Sequence, residues 1–144
     1  MVITSGVYDC TELDGFVVFN QAGELAGLIT YTLRGQECEI TSLNSVEEGK
    51  GIGTALIQAV EDAARAHGCS VLKLTTTNDN LKALGFYQKR GFVLSRFLPD
   101  AVTRARALKP EIPLIGYAGI PIRDEIELVK HLGDSRETEA VGTK

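Results

Sequence analysis

The sequence predicts an α+β fold built on a mixed, mostly antiparallel sheet, and three observations carry that prediction. Residues 15–43 form β-rich runs separated by short turns. Directly after a glycine cluster at 49–53 the apolar residues change from strand spacing to helix spacing. From there to residue 98 helix-like and strand-like segments alternate.

The elements follow in order. "GFVVFN" (15–20) is a β-rich run and "NQAG" a turn. "ELAGLITYTLRG" (24–35) is a second run, with Gly27 placed at a bulge, and "ECEITSL" (37–43) is a third after "GQ". Upstream, "VITSGVY" has room for one strand and a turn. Ile52, Leu56, Ala59, Val60 and Ala63 recur at helical spacing, which predicts a helix over 51–67 capped by Gly68. "SVLKLTTT" (70–77) reads as a buried strand. "NDN" then offers Asn and Asp as N-caps for a helix over 80–90 that Gly91 ends, with Asp79 explained as a cap. "FVLSRFL" (92–98) is a strand, "DAVTRARAL" (100–108) a short helix, and "KPEIPLIGYAGIP" a loop broken by proline and glycine. The Glu-Ile-Glu-Leu-Val alternation makes 123–132 a strand. A single domain over 1–132 with a polar, disordered tail at 133–144 accounts for the chain.

With 144 residues, 44% hydrophobic and 24% charged, the chain can bury a core without staples. A net charge of −4 argues against nucleic acid as the main partner, because duplex affinity rests on neutralising phosphates. Cys10, Cys38 and Cys69 are odd in number and scattered, and His67 and His131 stand alone, so neither a disulfide framework nor a metal site is expected. No basic leader with a long apolar stretch opens the chain and no apolar run is long enough to span a bilayer. These features predict a cytoplasmic protein with reduced thiols and no membrane partner.

The stretch "EEGKGIGTAL" (47–56) puts bare backbone at a helix entrance, where free N–H groups and the helix dipole favour an anion. The phosphate loop of nucleotide hydrolases fails, because Gly51 follows Lys50 where Ser or Thr is needed. The dinucleotide fingerprint lacks its third glycine, since Gly49 and Gly51 are followed by Thr54. A flexible surface turn is the plain alternative.

A third pattern fits. Glu48, Gly51 and Gly53 occupy the three fixed places of Gln/Arg-x-x-Gly-x-Gly/Ala, and Asn80, Ala83, Phe86, Tyr87, Gly91 and Phe92 fill every place of Asn-x-x-Ala-x-x-Phe-Tyr-x-x-x-Gly-Phe. In this order the chain resembles the GNAT superfamily of acetyl-CoA-dependent N-acetyltransferases over roughly residues 15–98. The resemblance implies a sheet whose central parallel strands splay apart, flanked by helices. It implies acetyl-CoA as co-substrate, a small-molecule or peptide amine as acceptor, and no metal. Its loop would be Glu48, Gly49, Lys50, Gly51, Ile52, Gly53 and Thr54, with Glu48 discordant as an anion where the family has Gln or Arg. Ser42, Leu43 and Asn44 would present strand backbone to the pantetheine arm, Asn80 would contact that arm, and Tyr87 would protonate the departing thiolate as general acid.

The acceptor side is less determined. Glu39, with Glu37 behind it, would be the base that takes a proton from the ammonium, although a water relay or a merely solvated strand face is equally compatible. The family's opening helical pair is reduced or absent, because only fourteen residues precede the run at 15–20. The long segment 99–122, with Arg104, Arg106 and Lys109, would then wall the acceptor and suit an anionic one; a solvated helix face is the alternative. The open edge favours a homodimer. An acyl-CoA-binding regulatory module without efficient catalysis is the competing functional reading.

Overall fold

The structure is a computed structural model that describes residues 7–9, 14–45 and 51–133. Glu48, Gly49 and Lys50 of the loop, and the tail from 134 onward, lie outside the described residues. The fold is α+β, and two compact units divide the chain: Met1–Leu72 with His131–Lys144, and Lys73–Lys130.

In the first unit the strands β1 (Val7–Asp9), β2 (Gly15–Phe19), β3 (Leu25–Arg34) and β4 (Glu37–Ser45) are neighbours in that order, each antiparallel to the next. Helix α1 (Ile52–Ala66) buries Ile52, Leu56, Ile57, Val60 and Ala64, a stripe at i, i+4, i+5, i+8 and i+12. It ends because Gly68 takes φ +79°, its N–H donates to Arg65 and that of Cys69 to Ala64, the paired bonds of a Schellman cap. Val18, Ile29, Tyr31, Cys38 and Ile40 complete this core from the sheet.

Gly27 is not itself the bulge. Val18 pairs with Gly27 and Phe19 with Leu25, so the extra residue is Ala26. Gly27 is glycine because a Cβ there would lie 2.6 Å from Ile52 Cγ2 and 3.0 Å from Leu56 Cδ1, so α1 approaches the bare backbone of β3. Gly27→Ala should therefore destabilise the protein by about 1–3 kcal/mol through overpacking against a stiff β-branched neighbour. A shift of the urea midpoint measures it, and an unchanged midpoint would mean that α1 yields freely.

The second unit contains β5 (Val71–Thr77) from Lys73 on, α2 (Leu81–Lys89), β6 (Val93–Leu98), α3 (Ala101–Leu108), a single 3₁₀ turn (Tyr117–Gly119) and β7 (Glu125–His131) up to Lys130, with strand order β5-β7-β6. β6 and β7 are antiparallel, and Ser95 is an extra residue between Leu94↔Leu128 and Arg96↔Glu127. α2 stops where Gly91 takes φ +98°. From residue 15 onward each predicted helix and strand is present with bounds within two residues, while the upstream strand lies at Val7–Asp9, at the end of the "VITSGVY" run. No helix precedes α1 among the described residues.

Candidate active site

The first set of site residues sits at the entrance of α1. Gly51 is the N-cap at φ +77°, a left-handed conformation that L side chains rarely adopt, and nothing among the described residues lies within 4 Å of where its Cβ would be. No side chain caps this helix and its first turn holds no acid. The first intrahelical bond runs from Ala55 N–H to the Gly51 carbonyl at 3.0 Å. Among the described residues the amides of Ile52 and Gly53 have no intrahelical acceptor, and the dipole adds a partial positive charge. Buried Ile52 anchors this turn, while Thr54 is exposed. An open, donor-rich cradle of this kind fits the pyrophosphate of a coenzyme A.

β4 supplies the second set. Thr30 pairs with Ser42 and Tyr31 with Ile40, which leaves Thr41 as an extra residue. The kink is pinned by hydroxyls: Thr30 Oγ1 lies 2.7 Å from Thr41 Oγ1 and 2.6 Å from Ser42 Oγ. Through pairing, Leu43 (with Ile29), Ile40 (with Tyr31) and Cys38 (with Leu33) share the face on which Gly27 meets α1. Glu37, Glu39, Ser42 and Asn44 point to the opposite face with Arg34, Thr32, Thr30 and Leu28. Glu39 and Ser42 are half-buried there; Glu37 and Asn44 are exposed. The bulge thus keeps Glu39 and Ser42 on one face despite their odd spacing. Burial pushes the Cys38 thiol up to about 12, so it stays a neutral core residue.

In the second unit Asn80 is the N-cap of α2: its side-chain carbonyl accepts from Ala83 N–H at 3.2 Å, and its amide donates to Thr76 Oγ1 at 3.2 Å. The second amide hydrogen remains for a ligand. Tyr87 is 8% exposed, its ring edge-on to Phe86 and to Phe92, with centroids 5.4 Å apart in both pairs. Arg90 lies 3.7 Å over the Phe86 ring and donates to the Phe86 carbonyl at 2.8 Å, which stiffens the aromatic group. The Tyr87 hydroxyl makes no hydrogen bond among the described residues, yet no fully buried side-chain polar atom lacks a partner there, so its oxygen reaches open space. Burial pushes the phenol up to about 12. The result is a protonated, unspent donor on an otherwise buried ring.

Residues 4–92 match the family described as Acetyltransferase (GNAT) family. The chain belongs to the GNAT acetyltransferase family. YdhI of Bacillus subtilis strain 168 is 56% identical over 126 residues, which are 88% of this chain and 79% of that protein. Among solved structures, an IAA acetyltransferase from Bacillus cereus ATCC 14579 superposes with a TM-score of 0.71 at 30% identity, covering 83% of this chain and 77% of the other. A Bacillus subtilis acetyltransferase in complex with CoA gives 0.70 at 26% identity, with the same shares covered.

Within this GNAT chain the cations of segment 99–122 differ in their surroundings. Arg106 donates to the carbonyls of Ile112 (3.1 Å), Pro113 and Ile122 (2.8 Å each), so its guanidinium clamps the loop. Arg104 reaches the Pro99 carbonyl at 3.0 Å; Lys109 is exposed past the end of α3. Asp79 is not the cap either, because Asn80 takes that role. Asp79 is buried and accepts from Thr77 Oγ1 at 2.6 Å and from Tyr117 N–H at 3.0 Å. Burial alone would raise its pKa, but these hydrogen bonds outweigh burial and hold the carboxyl below its ordinary value. No sequence pattern marks this contact, since its partner lies 38 residues away in a loop. No described helix is long and apolar enough to cross a membrane.

Proposed function

We propose that the protein transfers an acetyl group from acetyl-CoA to a primary amine by direct attack in a ternary complex. The observation that carries this reading is Tyr87: a phenol kept protonated by burial, with a hydroxyl unspent on the protein, at the family's general-acid position. The amides at the entrance of α1 hold the pyrophosphate, with Glu48, Gly49 and Lys50 completing the loop. The backbone of Ser42, Leu43 and Asn44 and the Asn80 amide hold the pantetheine arm. Glu39 takes the proton that frees the acceptor nitrogen; this nitrogen attacks the thioester carbon, the carbon–sulfur bond breaks as Tyr87 delivers its proton to the sulfur, and the second proton that the nitrogen sheds on becoming an amide goes to solvent, from which the phenol is reprotonated. A half-buried carboxylate beside Ser42 on the open face of β4 supports Glu39 over the exposed Glu37.

Thiol release from acetyl-CoA across a panel of amines tests the reading, together with thermal shift by coenzyme A. Amine-dependent release with stabilisation is expected. Stabilisation without release by any amine would leave a coenzyme-binding module, and neither would remove the reading altogether. Glu39→Gln should lower kcat/KM by about 10²-fold and flatten the acidic limb of its pH profile, as loss of a general base does. Glu37→Gln is the control and should retain both; equal losses in the two variants would reassign the base.

A further inference from the structure

The two residues ahead of Asn80 hold more than a helix end. Asn78 donates through its amide to the Pro121 carbonyl at 2.9 Å, and its side-chain oxygen accepts from Arg123 N–H and Asp124 N–H, both at 3.0 Å. Asp79 takes the Tyr117 N–H on one oxygen and the Thr77 hydroxyl on the other. Two adjacent side chains thus bind the segment 117–124 at four points. Gly116 completes the fit. Its φ of −118° suits any residue, but a Cβ there would collide with the Asp79 carboxylate and lie 2.9 Å from Ile122 Cδ1. Both the space and a ψ of −140° favour glycine here. From the other side Arg106 ties the carbonyls of Ile112, Pro113 and Ile122 together. The segment is therefore rigid although Leu114, Ile115 and Tyr117 are exposed.

We propose that Asn78 and Asp79 form a latch that holds segment 112–124 on the N-terminal end of α2 and thereby positions Asn80 for the pantetheine arm. Residues 78, 79 and 80 are consecutive. The Asn80 N–H is bonded to the Thr77 carbonyl at 3.1 Å, and Leu81 N–H to the Asp79 carbonyl at 2.8 Å. The cap cannot turn without moving Asp79, and Asp79 cannot move without releasing Tyr117. Asn78 and Asp79 are positioning residues: they act on the coenzyme through Asn80, so the inference rests on the function proposed above.

The test measures coenzyme A affinity by calorimetry and amide exchange of Tyr117 on the full chain, after circular dichroism has confirmed folding. Asp79→Ala and Gly116→Ala break the latch from opposite sides. Each should speed Tyr117 exchange and raise the Kd for coenzyme A about 10-fold, the size of one lost buried hydrogen bond. Asp79→Asn should stay within about twofold of wild type, because its carbonyl can accept from Tyr117 N–H while its amide donates to Thr77, whose hydroxyl turns to accept. Faster exchange with unchanged affinity would overturn the positioning role and leave a structural contact. Asparagine as damaging as alanine would overturn the latch geometry. If Asp79→Ala fails to fold, Gly116→Ala carries the test, since it deletes no partner. A wild-type chain that does not bind coenzyme A would instead remove the parent reading.

Discussion

Tyr87→Phe should lower kcat by about 10²–10⁴-fold, the range for loss of a positioned general acid, and leave both coenzyme A affinity and thermal stability nearly unchanged. The stability half of this expectation follows from packing. The ring is 8% exposed and its edge contacts with Phe86 and Phe92 survive in phenylalanine. The deleted hydroxyl makes no hydrogen bond among the described residues, so no partner is orphaned. The kinetic half follows from proton affinity. Burial puts the phenol at about 12, whereas a free thiol titrates near 8.5, roughly. The departing thiolate is thus protonated only if the developing charge and the donor are held together, which is what positioning supplies. The same shift has a sign in stability. Below about pH 10 the phenol is neutral in both folded and unfolded chains and the full benefit of burying it is present. Between about 10 and 12 the unfolded chain ionises first, so stability falls as pH rises and most of the loss is complete at the folded value. Single-turnover rates with a fast amine check the first point and alkaline melts of the wild type against Tyr87→Phe check the second. A variant within threefold of wild-type rate would remove Tyr87 from the chemistry.

How far the sequence could be read depended on whether a feature is local. Helix α1 was legible because its stripe of Ile52, Leu56 and Val60 and its stop at Gly68 all lie within one segment. The β-meander was legible because short turns leave neighbouring strands few ways to pair. Asn80 and Tyr87 stand at signature positions fixed by one helix, and both are placed as that helix requires. Long-range contacts were not legible. Nothing near Gly27 says that Ile52 will press on it, and nothing near Arg106 says that carbonyls will consume its guanidinium. Asp79 misled for a related reason: beside Asn80 it looks like a second cap, and only Tyr117 and Gly116 show otherwise. The bulge at Thr41 was equally hidden, since strand residues alternate in sequence whether or not the register slips.

Gly51→Val should raise the Kd for coenzyme A by tenfold or more, while Gly51→Asn stays close to wild type; the tenfold is on the order of the 1–2 kcal/mol that left-handed backbone costs an L residue. Among the described residues space is not the issue, because none lies within 4 Å of a Cβ at this position. Conformation is: φ is +77°, where a β-branched side chain is strained and asparagine is among the residues that adapt. Valine can relieve its strain only by rotating the peptide planes on either side. The Gly51 carbonyl is held by Ala55 N–H at 3.0 Å and Ile52 is buried, so the helix resists this rotation from within. What gives way is the direction of the Ile52 and Gly53 amides at the entrance, and their convergence is what an anion reads. A flexible turn makes the opposite forecast, since strain at a surface turn would lower the melting temperature of Val and leave ligand affinity alone. Calorimetric titration with coenzyme A on both variants separates the two, with the valine chain's melting temperature recorded alongside. Equal affinity in Val and Asn at a lowered melting temperature would reduce the glycines to a turn and return the pyrophosphate to other residues.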